Sequence, residues 1–125
     1  MMSARVYICG LLAVCCLGGC QGPSANPARQ FRSENPSERA AACVKAARLE
    51  DEAVLPLLVE RLEDESEEVR LCAIQSLQRL TGQSLGYKHY QRRTQRQEAV
   101  QRWRDWLRQR AASAPAADPG ASGPA

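Results

Sequence analysis

One histidine, two cysteines in the body of the chain and two tryptophans three residues apart are the residues whose types could do chemistry. His89 could serve as a general base if a nucleophile or a carboxylate stood beside it. It lies instead in a polar run, QSLGYKHYQRR (83–93), between Tyr87 and Tyr90. No Gly-rich loop, Ser elbow or pair of inward carboxylates accompanies it. Two thiols and one imidazole without ligand spacing do not make a metal site. The expectation is therefore no catalytic residue, no metal and no cofactor, and a protein that works by contact. Cys43 and Cys72 fall at positions where small core residues belong on helices, and outside the cytoplasm they could also pair. Trp103 is expected to seal the end of a helical stack. Trp106 is expected to stand half exposed as an aromatic anchor for a partner.

Charge offers a second kind of chemistry. The 125 residues carry a net charge of +3, unevenly spread. Residues 35–65 hold eight acids and four bases, a balance of −4; residues 82–110 hold eight bases and two acids, a balance of +6. Arg92, Arg93, Arg96, Arg102, Arg104 and Arg108, with Lys88, could face anionic lipid, cell-wall polymer or an acidic protein. The same residues could equally be a solvated helix face neutralised by the protein's own acidic half. No groove-reading motif is present, so nucleic acid is not an expected partner.

The remaining four cysteines, Cys9, Cys15, Cys16 and Cys20, sit in the first 20 residues, MMSARVYICGLLAVCCLGGC. Arg5 precedes an uncharged stretch, Val6 to Leu17. Its 12 residues suit a signal-peptide core and are too few to span a bilayer, which takes about 20. Leu17-Gly18-Gly19-Cys20 then resembles the lipobox of bacterial lipoproteins, Leu-small-small-Cys. The resemblance implies a signal peptide over 1–19, cleavage before Cys20 and a lipid on the Cys20 thiol. It places the protein in the bacterial cell envelope, anchored to a membrane. Gln21, which is not Asp, slightly favours the outer membrane.

Residues 20–34 are expected to be a tether after the lipidated Cys20, and 111–125, almost all Ala, Pro, Gly and Ser, a disordered tail. That leaves 35–110 to fold. A core of this size supplies only about 3–5 kcal/mol, which argues against a large enclosed active site. Four helices are predicted. Asn35-Pro36-Ser37-Glu38 starts the first (36–48) with a cap, a proline where no hydrogen bond is lost and an acid at the third position. The second (52–63) carries Val54, Leu55, Leu58, Val59 and Leu62, with Pro56 near its start. Ser66 opens the third (67–80), whose Val69, Ala73, Leu77 and Leu80 share one face, and Gly82 ends it. Thr94 is expected to cap the fourth (95–110). No segment alternates with period two, so no sheet is expected.

A shift of 31 residues places Asn35 on Ser66, Arg39 on Arg70, Cys43 on Ile74 and Leu49 on Leu80. The first helix thus repeats as the third, as stacked helical hairpins would require. Asp64-Glu65-Ser66-Glu67-Glu68-Val69-Arg70, with Ala73-Ile74 and Leu77 to Leu80, resembles a short bacterial HEAT repeat of the phycobilisome-lyase HEAT-like kind. The resemblance implies an all-α fold: a short α-solenoid of about two HEAT-like hairpins. No lyase activity comes with it, since the repeats bring no chemistry. It also implies that Arg70 bonds a turn carboxylate, Asp64 or Asp51, and that Arg39 repeats the role. The expected function is a membrane-tethered, non-enzymatic scaffold or adaptor for an unidentified protein of the envelope. The alternative is an electrostatic binder of anionic lipid or wall polymer through 88–110.

Overall fold

The computed structural model describes residues 26–115, and among these there is no strand. Five helices follow one another: α1 (Pro27–Phe31), α2 (Pro36–Arg48), α3 (Leu55–Arg61), α4 (Glu67–Thr81) and α5 (Arg93–Ser113). A single 3-10 turn, Glu52–Val54, leads into α3. The fold is a short HEAT-like helical solenoid. The expected signal segment, Cys20 and the part of the expected tail beyond residue 115 lie outside the described residues.

Arg39 at the start of α2 meets Asp64 in the turn before α4, and the Ser76 hydroxyl donates to the Cys43 carbonyl midway along. These contacts make α2 and α4 parallel neighbours. Arg104 pairs with Glu63 and Arg110 with Glu52, so α5 runs opposite to the chain through 52–63. Hence α2, α4 and α5 share a direction, and α3 returns between the first two. The core joins Phe31, Cys43, Val54, Leu55, Leu58, Leu62, Leu77, Val100 and Trp103.

The structure departs from the sequence reading at four places. A fifth helix, α1, occupies part of the expected tether. Asn26 accepts a hydrogen bond from the Ala28 N–H, Pro27 fills the first turn, and Phe31 is 2% exposed within the core. Burying one such ring contributes about 2–3 kcal/mol, enough to hold a turn that propensity alone would not. The second predicted helix divides into the 3-10 turn and α3, because Pro56 can occupy only the first turn of an α-helix. Asp51 caps the 3-10 turn by accepting from the Ala53 N–H. The fourth helix begins at Arg93 with Arg92 in the cap position and no side-chain cap, so Thr94 lies inside it. It continues to Ser113, three residues into the expected tail, through Ala111 and Ala112, strong helix formers.

Between α4 and α5 the chain does not form a return helix. Gly82 ends α4 in the left-handed conformation (φ +71°), and the chain then turns at Ser84–Tyr87. Leu85 and Gly86 both have positive φ, +49° and +74°. The Arg102 Nε donates to the Leu85 carbonyl at 2.9 Å, and a Cβ on Gly86 would stand 3.2 Å from Arg102 Nη2. Glycine at 86 therefore meets a backbone requirement, with the Arg102 side-chain tip close beside it. Tyr87, buried, donates its hydroxyl to the Leu62 carbonyl and ties the connector to the end of α3. Burial pushes its phenol up to about 12.

Candidate functional site

The parallel helices each carry an arginine at the fourth position after the cap. Arg39 follows Asn35, Arg70 follows Ser66 and Arg96 follows Arg92. Arg39 Nη1 donates to the carbonyls of Ser33 and Glu34 at 2.7 and 3.0 Å. Arg70 Nη1 donates to those of Asp64 and Glu65, both at 2.8 Å. These two turns are 31 residues apart, so the repeat extends to the hydrogen bonds. Each arginine also reaches forward to the next turn. Arg39 Nε and Nη2 hold the two oxygens of Asp64 at 2.8 Å each. Arg70 Nε donates to the His89 carbonyl at 3.0 Å.

The expected partner of Arg70 was a carboxylate of Asp64 or Asp51; it instead binds three backbone carbonyls. The reason is geometric. Asp64 turns its carboxylate toward Arg39 and Arg61 and toward the Ser66 N–H, leaving only its carbonyl for Arg70. Burial alone would push the Asp64 carboxyl up. The Arg39 guanidinium, the Ser66 N–H and Arg61 outweigh burial and hold it below the usual carboxylate range. Asp64 is thus the hub joining the first two units: of the two turn carboxylates the resemblance offered, it is the one used, by Arg39 rather than Arg70.

Arg96 continues the series only in part. Its Nη1 donates to the Gln91 carbonyl, the same five-residue step back that Arg39 and Arg70 take. Its Nε is buried with no partner among the described residues, as are Arg61 Nε and Trp103 Nε1. The apolar register continues as well. A shift of 26 residues carries Ser66 to Arg92, Ala73 to Ala99, Ile74 to Val100, Leu77 to Trp103 and Leu80 to Trp106. Ala42, Ala73 and Ala99 are buried, as are Ala46, Leu77 and Trp103. The third unit escaped the sequence reading because its spacing is five residues shorter (31 against 26). The signal that could have found it is the Arg at 96 followed by Ala99-Val100 at the same offsets as Arg70 and Ala73-Ile74.

The basic segment divides into engaged and free cations. Arg102 holds the Leu85 carbonyl, Arg104 pairs with Glu63, and Arg108 pairs with Asp105. Arg110 pairs with Glu52 and lies 5.2 Å over the Trp106 ring. Arg92 and Arg93 are exposed, with no ion pair or side-chain hydrogen bond among the described residues, and Lys88 is exposed beside them. Trp103 is fully buried, and Trp106, partly buried, meets it edge to face at 5.6 Å. Trp106 is therefore covered on one side by Trp103 and on another by Arg110. This leaves less free ring than an unencumbered anchor offers.

His89 lies 3.8 Å from Glu67 and edge to face with Tyr90. Its backbone carbonyl, not its imidazole, carries the link to Arg70. Cys43 and Cys72 are free thiols; burial pushes Cys43 up to about 12 and raises Cys72, which disfavours the reactive thiolate. Among the described residues no cluster of three or more His, Cys, Asp or Glu could hold a metal ion. No described helix is long and apolar enough to cross a membrane.

Compared with known families, the chain matches the one described as HEAT repeats, over residues 26–116. No curated protein and no solved structure matches it.

Proposed function

The chain belongs to the HEAT-repeat family, and from that premise we propose that it is a non-enzymatic scaffold of the bacterial cell envelope, anchored by a lipid on Cys20. HEAT repeats are helical scaffolds for protein–protein contact, presenting stacked faces rather than reacting groups. The observation that carries the reading is the distribution of cations at the third unit. Most of the basic segment is spent on internal bonds, and Arg92, Arg93 and Lys88 remain exposed. An acidic surface of a partner protein suits such a group. The anchor is supported by the order of Arg5, the apolar run and Leu17-Gly18-Gly19-Cys20. Two or three acyl chains hold a protein durably, since each buried CH₂ contributes about 0.8 kcal/mol.

Crosslinking of the protein in its native envelope, followed by identification of what it touches, tests the scaffold. The expected result is one stoichiometric protein, whose yield falls when Arg92 and Arg93 are replaced by Glu. Salt-labile binding to anionic lipid, with no protein captured, would favour the electrostatic alternative. Replacing Cys20 by Ala tests the anchor: the protein should leave the membrane fraction, and its mass should lose the lipid.

A further inference from the structure

The segment between Cys20 and the first described helix is short, and this limits how far an anchor at Cys20 lets the molecule stand from the lipid. Helix α1 starts at Pro27, capped by Asn26, and Phe31 locks it into the core. Only five residues, Gln21 to Ala25, separate Cys20 from that cap. At full extension, six steps of about 3.3–3.6 Å cover roughly 20 Å. Standing the stack on its α5 end would need the tether to pass two helix spacings of about 8–10 Å each, and the radius of α5 besides. The span is too short.

We infer that, with Cys20 acylated, the α1–α2 end of the stack rests on the lipid surface and the α5 end faces away from it. This rests on the anchor proposed above. The side chains at that end fit the position. Leu49 is 67% exposed, the most exposed large apolar residue among those described. It borders a hollow with Pro27, Phe31, Lys45 and Val54, directly beside the point where the chain leaves toward Cys20. Arg29, Arg32, Lys45 and Arg48 on this end are balanced by Glu34, Glu38, Glu50 and Asp51. The end is close to neutral, so its contact is set by tether length and by Leu49, not by anionic lipid. Arg92, Arg93 and Lys88 then point away from the membrane, where a protein partner can reach them.

The sequence supplies its own pair of reporters. Lys45 and Lys88 are the only lysines, both exposed, one at each end of the stack. The purified acylated protein, reconstituted in zwitterionic phosphatidylcholine vesicles, is treated with a membrane-impermeant amine reagent. Relative to the acyl-free protein in solution, the Lys45-to-Lys88 labelling ratio is expected to fall severalfold. It is expected to recover when a Gly/Ser insertion of about ten residues follows Gln21, with the anchor intact. The mass of the mature N-terminal peptide reads the anchor separately. A lipidated Cys20 with an unchanged ratio overturns the orientation and leaves the anchor standing. An unlipidated Cys20 overturns both. A ratio that falls only with anionic lipid, or that stays low after the insertion, shows charge or a specific site at work and overturns the tether argument. Protection of Lys45 in the acyl-free protein, rising with concentration, makes a second copy the occupant and overturns the lipid.

Discussion

Arg39 and Arg70 each hold two successive turns, whereas Arg96, at the equivalent place on α5, holds only its own. Arg39 therefore ties the first turn to the turn before α4, Arg70 ties that turn to the connector before α5, and Arg96 reaches no further turn among the described residues. Trp103 brings bulk to the core position that Ala46 and Leu77 hold in the earlier units, Tyr87 ties the connector to Leu62, and Arg104 and Arg110 reach across to acids of the first unit. A stack interior and a stack end thus solve different problems. The interior must repeat, so it uses one residue in one register. The end must finish, so it uses bulk and exposed charge that no further unit has to match.

The comparison breaks most visibly at Trp103. Trp103→Ala removes the largest fully buried side chain and is expected to cost about 3–5 kcal/mol. Thermal unfolding should show loss of the whole helical signal, because one small core serves all three units. A loss confined to α5 would show the end to be energetically separate. Next comes Arg39→Ala, which strands Asp64, only 7% exposed, beside Arg61 alone and is expected to cost about 3 kcal/mol. The pH dependence carries a definite sign. The Asp64 pKa is lower folded than unfolded, so its contribution is complete above the unfolded value, about 3.9. That contribution is lost as pH falls through the unfolded value and then the lower folded one. Acid titration of stability in Asp64→Asn should be flatter in that window.

Arg70→Lys and Arg96→Lys sharpen the contrast between interior and end. Lysine keeps the charge, but its ammonium is a single point and cannot stand in for the separate Nη1 and Nε donors that reach two turns. Arg70→Lys should cost about 2 kcal/mol, since carbonyls of two turns lose their donor. Arg96→Lys, with one carbonyl at stake, should cost less than about 1 kcal/mol. Equal costs in chemical denaturation would remove the distinction drawn between the two rungs. The smallest effect belongs to the surface pairs. Arg104→Ala should change stability by less than about 1 kcal/mol and should matter even less at high salt.

Much of the fold was legible in the sequence because local signals and apolar period agreed. Asn35 and Ser66 cap their helices, Gly82 ends α4, and the 31-residue repeat aligns Arg39 with Arg70. What escaped had a weak local signal and a strong distant one. PARQF is a poor helix by composition, and only the place Phe31 finds against α2 and α3 makes it one. Thr94 satisfied the cap rule, yet the helix starts a turn's fraction earlier, at Arg93. The candidate interaction residues were legible as a charge excess, but their division was not. Sequence counts cations; only the packed structure shows that Arg104 and Arg110 meet acids 41 and 58 residues away.

The sequence by itself determined the helical class and the repeat register, because propensity and periodicity act over a few residues. Tertiary structure decided three further things: which of the repeated arginines would hold the Asp64 carboxylate, which cations would stay free, and where the first described helix begins. Each of those depends on groups brought together from distant parts of the chain. The last has the widest consequence, since moving the first helix from residue 36 to residue 27 shortens the chain available to the proposed anchor at Cys20.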